Sequence, residues 1–448
     1  MEPEVWALVM FITTFAFIFM GARVAIALGG TALLFFMIGV VGGYFDVRLF
    51  ELIGNRVFGI MSNSILLAVP YFIFMGTILE RSGLAEDMLV TMGKAFGAVR
   101  GGLGVTVIVV GALLAASTSI VAASVIAMGL ISLPVMLKNG YSKRYASGVI
   151  VAAGTLGQII PPSIVLIVLA DQMGISVGDL FKGALLPGVL LASMYVLYTI
   201  VLGYFRPNLL PPIQQQQQFG KSDLLRELLF TSLPPLLLIT VVLGSIFGGI
   251  ATPTEAGSLG AVFAIVLAFG RERKVLSSMN VLKRTWLKIQ EAANDTVLTT
   301  SMVMFLLVGS TAFALVFRGF EGDLFFEQFL VSLPGGRIGF IIFSGLLIFF
   351  LGFFIDFFEI TFIVVPLLIP AAVVLEIDLV WLAVIISLNM QTSFLTPPFG
   401  FSLFFLRGVA PNEVQTTDIV RGVIPFVLIQ LFCITLVYLF PQLVKGML

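Results

Sequence analysis

"GQIIPPSIVL" (residues 157–166) and "SFLTPPFGFS" (residues 393–402) each set a Pro-Pro pair inside an otherwise apolar segment. Proline has no N–H to donate, and its ring obstructs the carbonyl one turn earlier, so each pair breaks a helix and strips partners from nearby carbonyls. The pairs are 236 residues apart, Pro161 to Pro397. The same offset carries Pro134 of "LISLPVML" onto Pro370 of "LLIPAAV", and "RGGLG" (100–104) falls close to "GGRIG" (335–339). Further on, "DLFKGALLP" (179–187) resembles "DIVRGVIP" (418–425) after a drift of two residues. A shared order of Gly-rich entry, apolar run, Pro-ended run, Pro-Pro break and basic residue with Gly is an internal repeat.

The surroundings of the repeat are those of a bilayer. Of 448 residues 59% are hydrophobic and 11% charged, and mean hydropathy is +1.13. Apolar runs of spanning length recur from end to end, and no charge-rich stretch is long enough to fold outside the membrane. The chain has 24 basic and 24 acidic residues, no histidine and one cysteine, Cys433. That balance offers no basic footprint for nucleic acid, and the composition excludes His-based acid-base chemistry, internal disulfides and thiolate metal clusters. No Walker motif is present, and the start "MEPEVWALVM" lacks the positive n-region of a signal peptide.

Charge in the loops orients the repeat. "KNGYSKR" (138–144) holds Lys138, Lys143 and Arg144 and no acid, whereas its counterpart "VLEIDLV" (374–380) holds Glu376 and Asp378 and no base. By the positive-inside rule these equivalent loops lie on opposite sides, so the second half is inverted. The basic run "RERKVLSSMNVLKR" (271–284) then falls inside, and both termini outside. The run between residues 100 and 138 has both ends on one side and must turn back within the membrane, near Ser117, Thr118 and Ser119. Its counterpart turns near Asp356 and Glu359.

The sequence therefore reads as an all-α polytopic membrane protein, an inverted-topology repeat with two re-entrant helical hairpins and two Pro-Pro-broken helices, the pattern of a secondary transporter. N-terminal helices and an interfacial arm occupy residues 1–61. The first repeat covers 62–205, with a hairpin at 100–137 and a broken helix at 145–172. A Gln-rich cytoplasmic linker covers 206–227, and connecting helices with the basic loop cover 228–288. The second repeat covers 289–448, with a hairpin at 338–372 and a broken helix at 381–409.

Backbone at membrane depth is tolerated where it is buried in protein or lines a wet cavity, and there its carbonyls can hold a hard cation such as sodium. The candidates are carbonyls of Gly154, Thr155, Gly157 and of Met390 through Thr396, hydroxyls of Thr155, Thr392 and Thr396, the Ser117, Thr118 and Ser119 tip, and Asp356. The plainer alternatives are a simple kink at each proline and helix-packing roles for Ser and Thr. An intramembrane enzyme lacks its histidine, and an open channel does not need a doubled break.

The stretches "ASTSIVAASVIAMGLISLPVMLKNGYSKRYASGVIVAAGTLGQIIPPS" (116–163), "FLTPPFGFSLFF" (394–405) and "FFIDFFEITFIVVPLLIP" (353–370) resemble the large membrane subunit of TRAP transporters, the tripartite ATP-independent periplasmic family, and the resemblance covers nearly the whole chain. "DQMGISVGDLFKGALLPG" (171–188) looks like the branch labelled for mannitol or chloroaromatic compounds. The resemblance implies an elevator-type secondary transporter, with sodium-driven import of an organic carboxylate across a bacterial-type inner membrane, Na+ as coupling ion and no other cofactor. Dicarboxylates, 2-oxo acids, sialic acids and acidic amino acids such as glutamate are the family's substrates. Implied partners are a small four-helix membrane subunit, a periplasmic substrate-binding protein and membrane lipid. The family's sodium sites fall on residues 117–119 with Gly154 to Pro161, and on the Asp356 region with residues 392–398. Ser119, Gln158, Ser163, Asn389 and Phe399 are the candidate substrate contacts. A stand-alone elevator-type carrier or antiporter without a binding protein is the alternative.

Overall fold

The computed structural model describes residues 2–97, 99–118, 121–212, 221–275 and 278–448. Among them every regular element is helical. α1 (Pro3–Phe19) begins on a proline whose missing N–H would be unpaired there anyway, and α2 (Val24–Val41) follows. The arm is a short 3-10 turn (Val47–Phe50) running into α3 (Glu51–Met61). Neither piece buries a residue, and Leu52, Phe58 and Met61 face outward, as in a helix lying along the interface. α4 (Ala68–Ser82) and α5 (Leu84–Phe96) meet at Gly83, whose φ of 77° suits glycine.

The first half then runs through α6 (Gly102–Thr118), α7 (Val121–Lys138), α8 (Lys143–Thr155), α9 (Ile164–Met173) and α10 (Val177–Phe205). Connecting helices are α11 (Lys221–Phe247), α12 (Pro253–Val275) and α13 (Ser278–Gly319). The second half has α14 (Gly322–Val331), α15 (Arg337–Leu351), α16 (Phe357–Ile363), α17 (Val365–Val374), α18 (Leu379–Leu395), α19 (Phe401–Val409) and α20 (Thr416–Leu439). Seven of the described helices are long and apolar enough to cross a membrane, or eight if α16 and α17, bent by 50°, form one span.

Hydrogen bonds and ion pairs show which ends share a face. The N–H of Gly101, before α6, donates to the Leu210 carbonyl, and that of Ser142, after α7, to Leu209. Both limbs of the first hairpin thus end on one short segment. Arg337 at the start of α15 pairs with Glu376 after α17 at 2.7 Å, closing the second hairpin the same way. α20 is a ruler between the faces, because 24 residues at about 1.5 Å each span the hydrocarbon. Its first turn holds Asp418, 3.5 Å from Arg144 at the start of α8. Near its last turn the Val437 carbonyl accepts from the indole N–H of Trp381 at the start of α18. The two broken helices therefore begin on opposite faces, and the halves are one motif in opposite orientations.

Two stretches differ from expectation. The basic run 271–284 is drawn into the ends of α12 and α13, and α13 is a 42-residue helix that passes through the boundary expected at residue 288. Ionic contacts account for this: Arg271 pairs with Asp87, Lys288 with the buried Glu272, and both cations donate to the Ser82 carbonyl that ends α4. The linker is also shorter than 206–227, since α11 begins at Lys221. Its Gln run lies outside the described residues.

α8 and α20 approach across glycines. A Cβ on Gly148 would stand 2.1 Å from the Gly422 carbonyl oxygen, and one on Gly422 would stand 2.0 Å from that of Arg144. Such small-residue seams replace the hydrophobic drive that lipid removes. Gly148→Ala and Gly422→Ala are each expected to destabilise the protein by about 1–3 kcal/mol. Thermal unfolding of the purified protein checks this, with Gly408→Ala, which meets nothing within 4 Å, as the neutral control.

Candidate functional site

Four elements that break inside the membrane meet around one cavity of about 230 Å³. The returning limb of the first hairpin contributes Val121 and Ala122, and the first broken helix Gln158 and Val165. Asp356, Phe357 and Phe358 come from the second hairpin, and Phe394, Phe401 and Phe405 from the second broken helix.

Each break follows from its sequence. α8 stops at Thr155 and passes through a 3-10 turn (Leu156–Gln158) before Pro161-Pro162; α18 stops at Leu395 before Pro397-Pro398, and both Pro-Pro bonds are cis. At the tip of the second hairpin Asp356 caps α16: its carboxylate accepts from the Phe357 N–H at 2.7 Å, and Glu359 accepts from the Asp356 N–H at 2.8 Å. This reciprocal capping box satisfies backbone donors at membrane depth.

Each hairpin rests on the break of its own half. A Cβ on Gly154 would stand 2.6 Å from the Val125 side chain, and one on Gly352 would stand 2.0 Å from Ser393 Oγ. The two breaks are joined to each other. Gln391 Nε2 donates to Thr155 Oγ1 at 3.3 Å, and Ser387 Oγ donates to the Gln158 carbonyl at 2.8 Å. Thr155, Thr392 and Thr396 each donate to a carbonyl of their own helix, which leaves their oxygens as acceptors.

Six buried side-chain oxygens described in these elements have no hydrogen-bond partner: Ser132 Oγ and Ser147 Oγ along α7 and α8, and Gln158 Oε1, Ser163 Oγ, Thr361 Oγ1 and Gln391 Oε1. Unpaired buried oxygens are costly unless a ligand takes them up, and neutral oxygens with one carboxylate suit a hard monovalent cation. Among the described residues no three of His, Cys, Asp and Glu gather as a transition-metal site would need.

Of the residues singled out in the sequence, Gln158 and Asp356 line the cavity, and Gly154, Thr155, Gly157, Pro161, Met390, Thr392 and Thr396 lie on the two breaks. Ser163 is fully buried at the N-cap of α9. Asn389 turns away, donating to the Gly345 carbonyl on α15 at 2.6 Å. Phe399 is 47% exposed and packs on Phe354, outside the cavity lining. Ser117 and Thr118 end α6 with their side chains outside the description, and Ser119 lies outside the described residues.

Sequence reasoning missed the side chains of Gln391, Ser387 and Thr361 and the phenylalanine wall. Gln391 was within reach, because the 236-residue offset applied to Thr155 lands on it. Ser387 and Thr361 sit in apolar runs with nothing to single them out.

The family described as "Tripartite ATP-independent periplasmic transporter, DctM component" matches residues 11–443. The chain is similar to the C4-dicarboxylate TRAP transporter large permease protein DctM of Vibrio cholerae, 31% identical over 98% of each chain. It is also similar to the sialic acid TRAP transporter large permease protein SiaM of Vibrio cholerae, 28% identical over 87% of each. Among solved structures the YdaH transporter of Alcanivorax borkumensis shares the fold, with a TM-score of 0.59 over 90% of each chain and 16% identity.

The bond between the halves is testable without substrate. In a double-mutant cycle of Thr155→Val and Gln391→Leu, thermal unfolding is expected to give a coupling of about 0.5–1.5 kcal/mol, and the double variant should lose less than the two single losses added.

Proposed function

The chain belongs to the DctM component family of the tripartite ATP-independent periplasmic transporters, and from that membership we propose that it imports an organic carboxylate by sodium symport, its two hairpins and two broken helices, with α10 and α20 packed on them, moving as one body against the N-terminal and connecting helices. It is a multi-pass inner-membrane permease and not an enzyme. The observation that carries the proposal is the cavity walled by all four broken elements at once. A substrate held there is held by the moving body alone, so an elevator-like step transfers it without dismantling its site.

Sodium is supported by the donor set. Thr155, Gln391 and Thr361 would hold the ion through neutral oxygens, and it would supply positive charge to the body that carries Asp356. Asp356 is the one acidic or basic residue among the described residues lining the cavity. A carboxylate substrate is repelled by it in a medium of low dielectric until a cation neutralises the site, which couples the two bindings. One contact between the bodies would have to open during the movement: Asn63, before α4, donates to Asp171 at the end of α9 at 2.6 Å.

The partners on this reading are a small four-helix membrane subunit and a periplasmic binding protein. Substrates in the class are C4-dicarboxylates and sialic acids, named for the relatives, together with 2-oxo acids and acidic amino acids.

Uptake into proteoliposomes holding this chain and its small partner, with the binding protein outside, tests the proposal. Uptake is expected to need both the binding protein and an inward sodium gradient. Asp356→Asn keeps an N-cap residue while removing the charge, and it is expected to lower sodium-driven uptake by about tenfold or more with the fold intact. Uptake indifferent to the binding protein, or driven by protons alone, would overturn the proposal in favour of a stand-alone carrier.

A further inference from the structure

The cavity is chemically lopsided. Five phenylalanines from the second half form one wall, with Phe394 and Phe401 edge to face at 5.6 Å and Phe357 and Phe358 edge to face at 5.7 Å. Val121, Ala122 and Val165 from the first half form the other. Among the described lining residues the polar ones are Gln158 and Asp356, and none is Lys or Arg. Arg407, two residues beyond Phe405 on α19, donates instead to the Val414 carbonyl.

We propose that the cavity takes a monocarboxylate with an aromatic or branched apolar body and one further hydrogen-bonding group, rather than a dicarboxylate or a polyhydroxylated acid. The inference rests on the transport reading above and names its substrate class. Sodium bound in the body removes the repulsion that one carboxylate meets from Asp356. A second carboxylate would lie against phenyl rings with no Lys or Arg among the described lining residues to pair with it, and buried unpaired charge is strongly disfavoured. A ring of hydroxyls fares no better, because a wall of phenyl groups leaves each donor unpaired. An apolar body meets the five rings in edge-to-face or offset contact. The single extra polar group has one obvious partner: the Gln158 carboxamide is 1% exposed, lines the cavity and has an oxygen with no protein partner.

Binding to the chain and its small membrane partner in nanodiscs, in sodium buffer and without the binding protein, isolates this cavity from the specificity of the soluble component. The probes are phenylpyruvate, 4-methyl-2-oxopentanoate, succinate and N-acetylneuraminate. The two apolar acids are expected to bind about tenfold or more tightly than the other two. Phe405→Leu, which keeps an apolar side chain, is expected to weaken phenylpyruvate several-fold and to leave succinate nearly unchanged. Equal or tighter binding of succinate or N-acetylneuraminate, or no binding of either apolar acid, overturns the inference while the transport reading stands. Absence of sodium-driven uptake of every acid by the complete system with its binding protein overturns the transport reading, and this inference with it.

Discussion

Everything in this fold answers to one constraint: a backbone that turns inside hydrocarbon must find partners for its N–H and C=O groups within the protein. The chain turns or breaks there four times. Asp356 and Glu359 satisfy the N–H groups at the tip of the second hairpin. Ser387 supplies a donor for the carbonyl of Gln158, and Ser402 one for that of Phe394. These four side chains are polar residues spent on backbone, and the oxygens left unpaired are the ones free for a ligand.

The same constraint makes the four elements one body. Gly154 against Val125 and Gly352 against Ser393 seat each hairpin on its own break, at separations no side chain tolerates. Gln391 to Thr155 and Ser387 to Gln158 then join the breaks across the repeat. Neither half closes its site alone. The bond from the segment before α4, Asn63 to Asp171, is of another kind: both residues are half-buried, and water can replace a lost partner. On the proposed reading, connections are strong within the moving body and exchangeable at its boundary.

The sequence displayed the architecture well because its governing signals are local. Two Pro-Pro pairs, an offset of 236 and the contrast between Lys138, Lys143, Arg144 and Glu376, Asp378 suffice for an inverted repeat. The end of α12 and start of α13 were misread as a loop because their charges are neutralised by distant residues, Arg271 by Asp87 and Lys288 by Glu272 beneath the end of α4. The site was half legible. Residues on the breaks announce themselves by proline and glycine, whereas the cavity wall is built of phenylalanines indistinguishable, in a chain with 43 of them, from those that face lipid. Asn389 shows the converse: a polar residue at the right depth turns toward α15, and only its helical phase decides that.

The asymmetry of the two halves has a consequence for movement. By sequence the first hairpin tip carries hydroxyls, whereas the second brings the carboxylates of Asp356 and Glu359 together. On the proposed reading, bound sodium offsets their negative charge, and an anionic substrate adds to it again unless a further cation enters. A body bearing net charge is costly to carry through hydrocarbon, and a neutral one is not. On that reading the substrate-only state, an anion beside a carboxylate that nothing neutralises, is the one the bilayer resists most, so the desolvation cost that draws a sodium ion to Asp356 also opposes movement of substrate without sodium.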